Sequence, residues 1–156
     1  MTDTVHIAVE KITEESFPDF VSLIRELAEY EKLAPPDEDA ILRLKEDAFS
    51  ENPKYEAYLA FSGEIPVGYI TYYFTYSTFL AKPTLYLEDI FVSKDYRKIG
   101  IGGMLFDFCR NIAKERGCGR MDWTVLTWNK PSIDFYDNRG GERQDWYLYR
   151  IDGDFL

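Results

Sequence analysis

The sequence predicts a mixed α/β domain, a largely antiparallel central sheet flanked by helices, and three observations carry that prediction. A strand-like run, Leu85 to Val92, passes through a short polar loop into a helix opening at Gly100. Two β-rich runs, Tyr55–Phe61 and Val67–Tyr76, are separated by Ser62-Gly-Glu, which reads as an antiparallel hairpin. Phe17, Phe20, Val21, Ile24, Leu27 and Ala28 recur at helical spacing and give one helix a core-facing stripe. With 156 residues the chain fits a single domain, 1–156.

In order, Val5-His-Ile-Ala-Val reads as an opening strand, with His6 an edge residue. Thr13 or Ser16 is placed to cap the first helix, which ends in Glu29-Tyr-Glu-Lys-Leu before Pro35-Pro36. Asp37 starts a shorter helix carrying Ile41, Leu42 and Leu44. The hairpin follows, then the run to Val92, which is apolar enough to be covered on both faces. In the helix from Gly100 to about Glu115, Leu105, Phe108, Cys109 and Ile112 form the expected buried face, and Gly117 closes it. Met121-Asp-Trp-Thr-Val-Leu is a further strand. Pro131 and Gly140 bracket a last helix, and Trp146-Tyr-Leu-Tyr-Arg-Ile reads as a final strand. The expected order is β-α-α-β-β-β-α-β-α-β.

Composition narrows the function. Hydrophobic residues make up 46%, which excludes a disordered chain. No apolar run reaches the roughly 20 residues of a membrane span, and Met1-Thr-Asp-Thr lacks a signal-peptide start, so a cytoplasmic protein without membrane attachment is expected. Cys109 and Cys118 lack metal-ligand spacing and read as reduced thiols; no metal is expected. The net charge of -10 argues against nucleic acid and for attraction of cations.

The loop after Val92 carries the chemistry. Arg97, Lys98, Ile99, Gly100, Ile101, Gly102 and Gly103 combine two cations and flexible glycines with helix-start amides that lack partners in the helix. Such a loop binds phosphate-like anions. The dinucleotide pattern fails, because the third glycine position is Leu105 and no acidic strand end follows. The Walker pattern fails for want of Gly-Lys-Ser/Thr.

Arg97-x-x-Gly100-x-Gly102 after a strand, together with Asn129-x-x-Ser132-x-x-Phe135-Tyr136-x-x-Arg139-Gly140, resembles the Gcn5-related N-acetyltransferase (GNAT) family over essentially the whole chain. Tyr72-Tyr-Phe-Thr-Tyr, Leu85-Tyr-Leu-Glu-Asp, Tyr136 and Leu27-Ala-Glu-Tyr-Glu are similar to its spermidine/spermine and thialysine N-acetyltransferase subgroup. The resemblance implies the GNAT fold, acetyl-CoA as cosubstrate, a small-molecule amine as substrate and a homodimer. It further implies that Ile90, Phe91 and Val92 bind the pantetheine arm through their backbone. Lys98 to Gly103 would hold the pyrophosphate, completed by Asn129, Ser132 and Arg139. Tyr136 matches the general acid, Glu88 the carboxylate facing the amine, and Tyr30 and Glu31 the polyamine end of the pocket. The segment Arg139 to Trp146 is shorter than the polyamine-enzyme loop that supplies an acidic contact; Glu142 and Asp145 are the candidates in its place.

The residues themselves allow that chemistry. An aliphatic amine with a pKa near 10.4 is disfavoured as the free base at pH 7 by about 4.6 kcal/mol, so transfer needs a proton acceptor. Glu88 is the candidate, as acceptor or as charge anchor; a strand-end carboxylate satisfied by the backbone is the plain alternative. Tyr136 protonates the leaving thiolate or else packs beside Phe135. A strand N–H at Phe91 or Val92 polarises the carbonyl if the strand is bulged or splayed there. Glu29, Glu31, Glu88 and Asp89 together form a cation-attracting set. Cys109 reads as core, so direct transfer in a ternary complex is expected. The competing expectations are acetylation of a protein or peptide amine, and a non-catalytic acyl-CoA-binding module.

Overall fold

In the computed structural model, which describes residues 5–156, the first strand forms two residues later than expected, as β1 (Ile7–Lys11). Helix α1 (Phe17–Glu31) starts at Ser16, but neither hydroxyl caps it. Instead Ser16 Oγ accepts from the Thr13 N–H (2.9 Å) and Thr13 Oγ1 from the Ser16 N–H (3.2 Å), which fixes the turn before the helix. Lys32, left-handed at φ 59°, ends it, with the Leu33 N–H donating to the Ala28 carbonyl. Asp37 caps α2 (Glu38–Phe49) as the sequence indicates, its carboxylate accepting from the Ala40 N–H at 2.8 Å. Ile41 and Leu44 pack on the core, while Leu42 is exposed.

The hairpin is β2 (Glu56–Ser62) and β3 (Ile65–Ser77), turning at Gly63 with φ 62°. It continues into β4 (Lys82–Val92), and β5 (Arg120–Asp122) closes a sheet of order β1-β2-β3-β4-β5. All pairings are antiparallel except β4–β5, so the sheet is mixed, as predicted. One face carries Ala57, Leu59, Tyr69 and Phe91 and packs on Phe17, Phe20 and Val21 of α1, with α2 beside them. The other face presents Tyr58, whose ring lies 4.6 Å from that of Phe108 in α3 (Ile101–Glu115). The buried stripe of α3 is Ile101, Leu105, Phe106, Cys109 and Ala113; Phe108 and Ile112, expected inside, are half-buried. The stripe follows the i, i+4 row from Ile101, which places Phe106 inward against Trp123.

Two strand expectations are corrected. The run from Met121 to Leu126 is a strand only as far as Asp122, and Trp146 to Ile151 forms none. The chain divides into two compact units, the first running to Trp123 and the second Thr124–Leu156. The second contains α4 (Lys130–Asn138) and a 3-10 turn at Gly153–Phe155, and no strand within it offers residues 146–151 a ladder. Alternating apolar residues state a preference that a strand realises only when its N–H and C=O groups find a neighbour.

Candidate active site

The strand β4 is irregular where the chemistry was expected. Its register against β3 runs Thr71↔Asp89 and then Tyr72↔Leu87, so Glu88 is an extra residue, a β-bulge. Side chains alternate faces along a strand, and one inserted residue reverses the phase. Tyr86 and Glu88 below the bulge, and Asp89 and Phe91 above it, therefore share the face covered by α1. Two consecutive carboxylates point to one side, which a regular strand forbids. A pocket of about 350 Å³ lies there, walled by Phe20, Ile24, Pro36, Ala40, Leu44 and Tyr55, with Thr71, Tyr73, Glu88 and Asp89 as its polar lining. Apolar walls with a few converging polar groups are the usual make-up of a small-molecule site.

The two carboxylates differ. Glu88 is exposed. Asp89 is half-buried, accepts a hydrogen bond from Thr71 Oγ1 (3.2 Å), and has its pKa pushed up to about 6, first by burial and then by the neighbouring Glu88 charge. Thr71 and Tyr69 pull the other way, while Glu31 adds to the rise. The fully buried Tyr69 hydroxyl sits beside Asp89 without reaching good hydrogen-bond geometry; burial and that carboxylate hold its pKa far above the usual phenol value. Glu31, half-buried at the end of α1, is itself raised by burial. Glu31, Glu88 and Asp89 thus form one acidic group, with Asp89 innermost; Glu29 is exposed.

The upper end of β4 has an open edge. β5 pairs only with Thr84, Leu85 and Tyr86, so among the described residues no strand pairs with residues 87–92 on that side. The Ser93 N–H donates to the Val67 carbonyl of β3 at 2.8 Å. Alternation then turns the amides of Ile90 and Val92 toward the open edge and that of Phe91 toward β3. Arg97 holds the strand end from that side: its Nε donates to the Val92 carbonyl at 2.8 Å. Its guanidinium lies 4.8 Å from the Tyr30 ring centroid and 5.4 Å from that of Phe91. Arg97 thus fastens the end of β4 to Tyr30 of α1, a bracing role that the sequence pattern did not suggest.

After a 3-10 turn at Lys94–Tyr96, Lys98 and Gly100 both take positive φ, 63° and 93°. Left-handed residues in a turn swing successive N–H groups to one side and make an anion-binding concavity. The first backbone bond of α3 is Met104 N–H to Gly100 C=O, so the amides of Ile101, Gly102 and Gly103 have no acceptor inside the helix. Lys98, Ile99 and Gly100 are exposed. Positive φ, free first-turn amides and an exposed lysine fit the diphosphate of a coenzyme-A thioester, and the open edge of β4 fits the amide groups of its pantetheine arm.

In the second unit, Asn129, Ser132, Tyr136 and Arg139 fall at steps of three, four and three residues, which aligns them along one stripe of α4. The Asn129 carboxamide caps the helix by accepting from the Ser132 N–H at 3.4 Å. Tyr136 packs edge-on to Phe135, ring centroids 5.5 Å apart, and the Arg139 guanidinium lies 5.3 Å from the Phe135 ring centroid. Cys109 is fully buried with its thiol raised to about 12 by burial, so it holds no thiolate at neutral pH. Among the described residues no helix is long and apolar enough to cross a membrane, and no cluster of potential metal ligands occurs.

The sequence grouped Asp89 with Glu88 in one acidic set but pointed to a bulge at Phe91 or Val92; the structure has it at Glu88. The sequence carries no trace of it: Leu85, Leu87 and Phe91 keep one alternation phase, and only the pairing with β3 shows that Phe91 faces the opposite side from the two leucines.

Comparisons with known proteins agree with this geometry. Over 162 residues the chain is 34% identical to the thialysine N-epsilon-acetyltransferase of Sus scrofa, covering 96% of this chain and 95% of that one. It is 33% identical to the spermidine/spermine N(1)-acetyltransferase-like protein 1 of Homo sapiens, over 89% of this chain and 21% of that longer protein. Its fold matches an aminoglycoside N-acetyltransferase in complex with CoA at TM-score 0.81, with 16% identity over 98% of this chain and 99% of that one. Residues 11–140 match the acetyltransferase (GNAT) family. With the bulged strand, the open edge and the glycine-rich helix start in place, the chain belongs to the GNAT acetyltransferases and is an enzyme of the acyltransferase type.

Proposed function

We propose that this enzyme moves an acetyl group from acetyl-CoA directly to the primary amine of a small cationic substrate, a di- or polyamine or a thialysine- or lysine-like amino acid. The observation that carries the reading is the pocket below α1 and α2, whose apolar walls end on the Glu88–Asp89 pair. An alkyl chain suits those walls and an ammonium suits that pair. Glu31 extends the negative charge and favours a substrate with a second cation. Tyr30, Glu31 and Glu88 are the substrate-side residues in this reading, and Glu88 is the charge that anchors the amine.

The amides of Ile90 and Val92 receive the pantetheine arm, with Phe91 fixing the strand beneath. Lys98, Ile99, Gly100, Ile101, Gly102 and Gly103 hold the diphosphate, aided by Arg97, which braces the loop. Asn129, Ser132 and Arg139 complete cosubstrate binding, and Tyr136 protonates the departing thiolate. A thiol pKa near 8.5 makes the thiolate a fair leaving group, so positioning contributes more than acid assistance. The burial of Cys109 supports transfer without an acyl-enzyme. The exposed apolar run from Trp146 to Ile151 supports a homodimer, and the free thiols support a reducing, cytoplasmic setting.

The test is thiol release from acetyl-CoA with putrescine, spermidine, spermine, thialysine, lysine and a basic peptide. Saturable turnover with one of the small amines is expected. Activity on the peptide alone would move the assignment to protein amines, and silence with every amine would reduce the chain to an acyl-CoA-binding module.

A further inference from the structure

Resting on the reading just given, the geometry points to Asp89, and not Glu88, as the group that takes the proton from the substrate ammonium. The bulge turns both side chains into the pocket, but they end in different surroundings. Glu88 is exposed, where water already satisfies its carboxylate. Asp89 lies under α1, fixed by the Thr71 hydroxyl at 3.2 Å, with the buried Tyr69 beside it. The groups acting on it are Glu31 from α1, Tyr69 and Thr71 from β3 and Glu88 from its own strand; all are acidic or neutral. Phe20, Ile24 and Leu44 wall the same pocket and limit the water available to a bound amine.

A carboxylate in that position is a stronger base than one in water and remains largely ionised at neutral pH, since its pKa is about 6. In the step proposed, the Asp89 carboxylate removes one proton from R–NH3+. The freed nitrogen lone pair forms the bond to the thioester carbonyl carbon as the C–S bond breaks. The second nitrogen proton accounts for the hydrogen of the coenzyme-A thiol, and Asp89 returns its own to solvent. Glu88 holds the incoming charge without changing its protonation.

The experiment is the pH profile of kcat and kcat/KM, with whichever amine of the panel is turned over, for wild type, Glu88→Gln, Asp89→Asn and Thr71→Val. Wild type is expected to lose activity below about pH 6, following the carboxylate. Asp89→Asn should lose about 100-fold or more in kcat at pH 7. It should recover about tenfold per pH unit as the free amine accumulates, with coenzyme-A affinity unchanged. Glu88→Gln should raise KM and keep both kcat and the acid limb. Thr71→Val removes a hydrogen bond that lowers the Asp89 pKa, so the acid limb should move to higher pH; this variant carries the test if Asp89→Asn does not fold. A Glu88→Gln enzyme that loses the limb, an Asp89→Asn enzyme with near-normal kcat at pH 7, or an unmoved limb in Thr71→Val overturns the assignment while leaving the proposed function intact. A wild-type chain inactive on every amine overturns both.

Discussion

Replacing Asp89 by Asn should make the folded protein more stable at neutral pH, although it removes a hydrogen-bonded carboxylate. The pKa of Asp89 rises from 3.8 to about 6 on folding, chiefly through burial. Folding therefore strengthens proton binding at this site, and between about pH 4 and 6 the native state holds more protons than the unfolded one. Stability must then fall as pH rises through that window. A rise of about two units corresponds to about 3 kcal/mol carried as a penalty above pH 6. Asn has the same shape, can still accept from the Thr71 hydroxyl and carries no charge, so it escapes the penalty. Urea unfolding of both proteins at intervals from pH 4 to 8 is the assay. The stability difference should favour Asp89→Asn by up to about 3 kcal/mol at pH 7.5 and shrink toward zero near pH 4. A pH-independent difference, or a variant less stable at pH 7.5 than wild type, would refute the reasoning. An enzyme that retains a destabilising carboxylate in its pocket illustrates the exchange of stability for function expected at active sites.

The close approach of β3 to β4 gives a second expectation. A Cβ added at Gly68 would lie 2.7 Å from the Phe91 carbonyl oxygen and 3.4 Å from Leu105 Cδ1. Gly68→Ala should therefore cost about 1–3 kcal/mol in denaturant unfolding and raise KM for acetyl-CoA, because the strand end displaced carries Val92. Thiol chemistry gives a third. In the native protein Cys118 should react with a thiol reagent at pH 8 while Cys109, buried and raised to about 12, should wait for unfolding. Rapid native-state modification of both would contradict the core position of Cys109.

What the sequence determined by itself is the part set by local chemistry. The hairpin through Gly63, the Asp37 cap of α2, the start of α3 at a left-handed Gly100 and the Pro131–Gly140 limits of α4 all follow from residues whose preferences act over a few positions. The anion-binding loop belongs to this group, since helix-start amides and glycine freedom need no distant partner. The placement of Asn129, Ser132, Tyr136 and Arg139 on one helix stripe is likewise fixed by spacing.

Tertiary structure decided what depends on a neighbour. The bulge at Glu88 exists only in the register between β3 and β4, and that register, not the order of Glu88 and Asp89 in the chain, turns both carboxylates to one face. The contacts of Arg97 with Tyr30, Phe91 and the Val92 carbonyl join segments far apart in the chain, so its bracing of the strand end had no local signature. The run from Trp146 to Ile151 has the composition of a strand and does not form one, because a strand is a pairing between segments. Burial acts in the same way on charge: the sequence supplies four acidic residues with similar intrinsic affinities for protons, and the packing of α1 over β4 raises Asp89, the innermost of them, to about 6.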